Sequence, residues 1–144
     1  MNTYHFLQKF HSGWAYLVLV LLAVVVVMSI IGLSSKAKFS ATNRKIALFG
    51  LIFSHIQLLV GLVLWFVSPV GKAALSSMKD ATLRLTALEH PLINIIAIIL
   101  ITIGWSKHKK LTTDASIFKN FAIFYGLGLF LILLRIPWHL WLWH

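Results

Sequence analysis

The sequence predicts an all-α integral membrane protein, a single up-down bundle of four transmembrane helices with both termini on the outer side. Three observations predict it. Of the 144 residues, 60% are hydrophobic and only 11% charged, where a soluble domain carries about 25% charged. Four apolar stretches stand out against the roughly 18–20 residues needed to cross a bilayer. The basic residues gather at the ends of those stretches, where interfacial anchors and topology signals sit. Such a chain has no hydrated surface with which to enclose a core, so lipid is its expected solvent. The net charge of +10 is placed as an orientation signal, and no nucleic-acid partner is expected. Cysteine is absent, which excludes disulfide exchange, thiolate metal sites, iron–sulfur clusters and covalent c-type haem attachment.

The helices are expected at about 3–34, 44–68, 80–107 and 116–141, forming one domain over 1–144. The first, uncharged from Gly13 to Leu33, is too long for the apolar core of a signal peptide and reads as a retained helix. The second ends at Ser68-Pro69. The third falls short of a span if counted from Pro91 to Trp105, so it is expected to start near Asp80, a good N-cap, and to kink at Pro91. That start puts Glu89 and His90 inside the membrane. The fourth begins near Ile117 and runs to the Trp-rich C-terminus.

The loop after the first helix carries Lys36, Lys38, Arg44 and Lys45, and the region after the third carries Lys107, Lys109, Lys110 and Lys119. These mark the cytoplasmic side. The opposite side, with Lys9, Lys72, Lys79 and Arg84, then faces the periplasm of a bacterial cytoplasmic (inner) membrane. Trp14, Trp65, Trp138, Trp141 and Trp143 would form an interfacial belt there. The longest loop, Pro69 to Met78, also lies on that side.

Ionisable groups inside hydrocarbon are costly, and each is a candidate functional residue. His55, Glu89, His90 and Arg135 qualify. His11 joins them because Tyr4, Gln8, His11 and Ala15 share one helical face. At a rise of ~1.5 Å per residue, His11 and His90 lie at similar depth, roughly 12–15 Å from the outer ends, with His55 about 18 Å deep. His90 shares a stripe with Thr86, Asn94, Ala97, Ile101 and Gly104, which points it into the bundle. Gly128, Arg135 and His139 share a face of the fourth helix. In the second helix the stripe Gly50, Ser54, Gln57 and Gly61 lies roughly 140° from His55, at ~100° per residue. One of those two faces is expected to meet a second subunit or a partner protein.

Haem b needs two imidazoles at matching depth on different helices, small residues that make room, and a cation near its anionic edge. His11 and His90 supply the pair, on helices that are diagonal in an up-down bundle. Arg135 and His139 supply counter-charge, and His55 is an alternative ligand or a second site. Each has a plainer reading: His90 as a hydrogen-bonded kink residue, His11 as an interfacial side chain, His55 as a satisfied core histidine, Arg135 as a snorkelling anchor. His5, His108 and His144 read as solvated. Gly126-Leu127-Gly128 is a packing feature, since no strand precedes it.

The strings His11-Ser12-Gly13-Trp14, Ser54-His55-Ile56-Gln57-Leu58-Leu59-Val60-Gly61, Leu88-Glu89-His90-Pro91 and Arg135-Ile136-Pro137-Trp138 resemble those of small bacterial four-helix membrane proteins labelled cytochrome b. The likeness covers essentially the whole chain, including Trp105-Ser106-Lys107-His108-Lys109-Lys110. It implies a non-covalent b-type haem in the cytoplasmic membrane, with His11, His55 and His90 as motif histidines and metal ligands. The expected cofactor-binding set is therefore His11, His55, His90, Arg135, Trp138 and His139.

The function expected is electron transfer within a respiratory or quinone-linked assembly, with quinol as a candidate partner. The chain would act as a homo-oligomer or as a subunit of a larger membrane complex rather than as a stand-alone enzyme, and no catalytic residue is assigned. Besides an enzyme acting on haem or quinone, two alternatives stand beside it. One is a non-redox accessory or assembly subunit. The other is a copper- or zinc-handling protein, which requires His11, His55 and His90 to meet within a few ångströms.

Overall fold

The computed structural model describes residues 2–141; Trp143, expected in the interfacial belt, and His144, expected to be solvated, lie outside the described residues. Helix α1 spans Thr3–Ser35, α2 Ala41–Val67, α3 Ala81–Arg84, α4 His90–His108, α5 Asp114–Leu134 and α6 Trp138–Trp141. A single π turn, Leu85–Glu89, joins α3 to α4, so Ala81–His108 is one continuous span. Four helices are thus long and apolar enough to cross a membrane, as in a multi-pass membrane protein.

Local chemistry sets the helix ends. The Asn2 side chain accepts from the His5 N–H at 2.9 Å and starts α1. Ser40 and Asn43 form a reciprocal capping box that begins α2, satisfying amides that have no partner within the helix. The Asp80 carboxylate accepts from the Thr82 and Leu83 amides, and Thr113 caps α5. These caps start the second and fourth helices three and two residues earlier than expected, at Ala41 and Asp114.

Two proline sites depart from the expected helices. His90 keeps helical angles although Pro91 follows it, and its N–H bonds to the Leu85 carbonyl across the π turn. The extra residue absorbs the amide that Pro91 lacks. The Ala87 carbonyl, whose regular helical donor would be residue 91, accepts instead from the Trp65 indole N–H at 2.8 Å. At the other site, the fourth helix does not run unbroken to residue 141. It stops at Leu134, and Arg135 takes φ −128°, ψ 27°. Ile136 precedes Pro137 and is biased away from the helical region, so the chain turns before the short α6.

Neighbouring spans are antiparallel around a ring α1–α2–α4–α5. The Gln57 amide donates to the His11 carbonyl across α1–α2. His55 meets Thr102 across α2–α4, Asn120 donates to the Gly104 carbonyl across α4–α5, and the Trp141 indole donates to the Ser12 carbonyl from beyond α5. Large hydrophobic side chains such as Val20, Leu59 and Phe66 are 60%, 63% and 61% exposed, a surface suited to lipid and not to water.

The interior divides into two halves. Towards the basic end, Phe118, Phe121 and Tyr125 are fully buried. Phe121 stacks on Phe39, and the Tyr125 hydroxyl donates to the Ala47 carbonyl at 2.8 Å. His108, expected to be solvated, is buried among Phe39, Trp105 and Phe121 and donates from Nδ1 to the Trp105 carbonyl. Its position on the inner face of the last turn of α4, under the loop residue Phe39, covers it. Small residues admit this aromatic packing. A Cβ added at Gly128 would stand 2.6 Å from Ile101 Cγ1 and 3.1 Å from the Ala97 carbonyl oxygen. Gly128→Val should therefore separate α4 from α5 and cost about 1–3 kcal/mol. Thermal unfolding in detergent measures this, and a variant as stable as the parent would show that the two helices are not in tight contact there.

Candidate functional site

Towards the end that carries the described N-terminal residues, the bundle is hollow. A cavity of about 180 Å³ lies between the diagonal helices α1 and α4, where ~10–15 Å³ on this scale holds one water molecule. It is lined on one side by Gly61 of α2 and on the other by Ile132 and Trp141. The loop after α2 folds over it through Ser68, Val70 and Gly71 rather than lying away from the bundle.

His11 and His90 face each other across this space. Their ring centroids are 6.2 Å apart and their planes are at 83°. The helix register explains the approach: α1 brings Tyr4, Gln8, His11 and Ala15 to the cavity, and the third span brings Thr86, His90 and Asn94. Gly61 lets the imidazole sit against α2, since a Cβ there would meet His11 Cε1 at 3.1 Å.

The polar partners of the two rings differ. His90 Nδ1 lies 2.9 Å from the Arg135 carbonyl oxygen. That carbonyl is free because the helix ends there, and it can only accept, so Nδ1 carries the proton and Nε2 keeps a lone pair. Asn94 donates to the His90 carbonyl at 2.6 Å and fixes the turn that bears the ring. Gln57 donates to the His11 carbonyl at 2.7 Å. His11 Nδ1 and Gln57 Oε1 are both buried without a hydrogen-bond partner. An unpaired buried polar atom is costly, and two of them on adjoining side chains at one cavity mark the site.

Next to His90 in the chain, Glu89 sits between two arginines, with Arg84 Nε at 2.9 Å and Arg135 Nε at 3.6 Å. Arg84 also donates to the Met78 carbonyl, tying the loop before α3 to the cavity mouth. Arg135 remains 44% exposed, so its guanidinium is not consumed by this pairing.

Other expected site residues lie elsewhere. His55 faces α4, with Nδ1 donating to the Leu51 carbonyl at 2.8 Å and Nε2 3.3 Å from Thr102 Oγ1. It does not line the cavity. Both faces of α2 are thereby used within one chain, because α2 sits between α1 and α4, and the small-residue face does not call for a second subunit. Among the described residues no group of three or more His, Cys, Asp or Glu could hold a metal, so His11, His55 and His90 do not form a three-imidazole centre. Trp138 and His139 are exposed, because the turn at Arg135–Pro137 sends them outward and brings Leu140 and Trp141 to the cavity instead. Only an unbroken helix would have kept His139 on the face of Arg135.

The sequence marked Gln57 and Asn94 as members of polar stripes but did not single them out. Their spacing to His11 and His90 offered a signal only for Asn94, one turn after His90. The carbonyl of Arg135 carries no sequence signal except the Pro137 that frees it. No protein-family model, curated protein or solved structure matches the chain.

Proposed function

We propose that this protein holds one non-covalent haem b between His11 and His90 and passes electrons within a bacterial cytoplasmic membrane. The facing imidazole pair, with its 6.2 Å centroid separation, is the observation that carries this reading. Two imidazoles on one metal atom at ~2 Å per bond put their centroids roughly 6 Å apart. The outer contacts fit as well. Metal-ligating histidines characteristically give their second ring N–H to a carbonyl or carboxylate, as His90 does to Arg135. Gln57 Oε1 is the group positioned to do the same for the orphaned His11 Nδ1.

When bound, the haem would supply a one-electron ferric/ferrous couple. The chain's own residues do the rest. His11 and His90 would be the residues that hold the iron, and Gly61 and Ala15 leave room beside their rings. The mostly apolar lining would shield the group from water, while the Arg135 guanidinium, paired with Glu89 next to His90, would offer counter-charge to anionic propionates. No general base or nucleophile is required of a carrier. The basic end would face the cytoplasm and the cavity end the periplasm. Electron exchange would then occur near the outer face, with quinol or a partner subunit. The copper or zinc alternative has less support, since it needs His55 in the cavity.

The test is the visible spectrum of detergent-purified protein, oxidised and then reduced with dithionite. A Soret band that shifts on reduction, together with a sharp α band, is the expected result. Protein expressed with ample haem that shows neither band would overturn the proposal.

A further inference from the structure

At the opposite end from the cavity, the charge distribution has no counterpart within the chain. Eight of the 13 Lys and Arg residues cluster there, against one carboxylate, Asp114. That carboxylate already accepts from the Phe39 N–H at 2.9 Å. The ion pairs among the described residues both involve Glu89, at the other end.

Within this excess, two cations from different helices converge on one ring. Arg44, in the first turn of α2, places Cζ 4.9 Å from the centroid of Trp105. Lys109, just past the end of α4, places Nζ 5.5 Å from the same centroid. Trp105 itself is 8% exposed, wedged against His108 and Phe121, so the indole is a fixed platform and not a mobile surface group. Cation–π attraction holds each cation to the ring, and among the described residues neither cation pairs with a carboxylate. A phosphate that reached both the guanidinium and the ammonium would gain two charge-assisted contacts.

We infer that Arg44, Lys109 and Trp105 form a seat for the phosphate of an anionic membrane lipid at the α2–α4 seam. The location selects a lipid over a free anion. The seat lies at the end of two spans, and the surface that continues from it along both helices is aliphatic, with Ile52 and Ile99 exposed. Acyl chains can lie against that surface while the headgroup meets the cations. The α2–α4 seam is also the least tightly packed of the four. Basic pockets between transmembrane helices at the membrane surface recognise anionic headgroups in this way.

The full chain in detergent, titrated with phosphatidylglycerol or phosphatidylcholine and read by native mass spectrometry, tests the seat. Wild-type protein should retain phosphatidylglycerol in preference to phosphatidylcholine. At ~1 kcal/mol for each cation near the surface, Arg44→Gln/Lys109→Gln should weaken that retention about thirtyfold. Lys36→Gln/Lys119→Gln removes the same charge from the same end but from side chains that do not meet Trp105, and should weaken it much less. Equal losses in the two double variants would overturn the inference, since they would show diffuse attraction. So would inorganic phosphate that displaces phosphatidylglycerol at equal concentration, since it would show a seat for free phosphate. Unchanged helical circular dichroism in both variants establishes that they are folded, and neither pair touches the His11–His90 cavity.

Discussion

His11→Ala and His90→Ala are each expected to abolish the reduced α band, while His55→Ala leaves it in place. The asymmetry follows from where the three imidazoles lie. His11 and His90 face one cavity, whereas both ring nitrogens of His55 are near partners on α2 and α4. Loss of a proposed haem ligand should weaken haem binding by more than the ~10–100-fold typical of removing an outer contact. Gln57→Leu, which removes an outer contact, should fall within that range. Each apoprotein should elute as the parent does and regain absorbance when free imidazole is added, which separates a missing ligand from a misfolded chain. Loss of the band in His55→Ala alone would sink the assignment of the pair and return the ligand role to α2.

Phe121→Ala should be the most destabilising single truncation and yet leave the cavity end unaltered. Its ring is fully buried, stacked on Phe39, and in contact with Trp105, His108 and Tyr125. Helices in lipid gain little from hydrophobic transfer and depend on close packing and hydrogen bonds. The cost is therefore chiefly the void, about 2 kcal/mol for roughly 100 Å³ at ~24 cal/mol per Å³. Thermal unfolding in detergent should show the loss, while the spectrum of the folded variant stays that of the parent. A spectrum altered as strongly as the stability would show that the aromatic half and the hollow half are not independent.

The four helices were legible because their signal is local and redundant. Uninterrupted apolar length, the cap residue Asp80, and basic residues at the ends each speak for the same elements. His11 and His90 were legible as a pair because imidazoles at matching depth on diagonal helices are a property of position along the chain. The role of His55 was not legible. Its angle from the Gly50–Gly61 stripe can be read from periodicity, but which helix covers that angle depends on how the spans are arranged. In the structure α4 covers it, so one chain satisfies both faces. The same limit applies to His108, set among lysines in the sequence and buried in three dimensions.

Composition and pattern by themselves determined a bundle of four long apolar helices, its basic end and the tryptophan-bearing end opposite, because each is an additive property of residues in order. Only the tertiary structure decided which polar groups meet. The π turn before Pro91 and the break before Pro137 are proline effects visible in sequence, yet their consequences appear only on assembly. Trp65 takes the Ala87 carbonyl, and His90 takes the carbonyl of Arg135. The physical reason is that a freed backbone carbonyl in an apolar interior must find a donor, and that donor comes from whichever helix packs beside it.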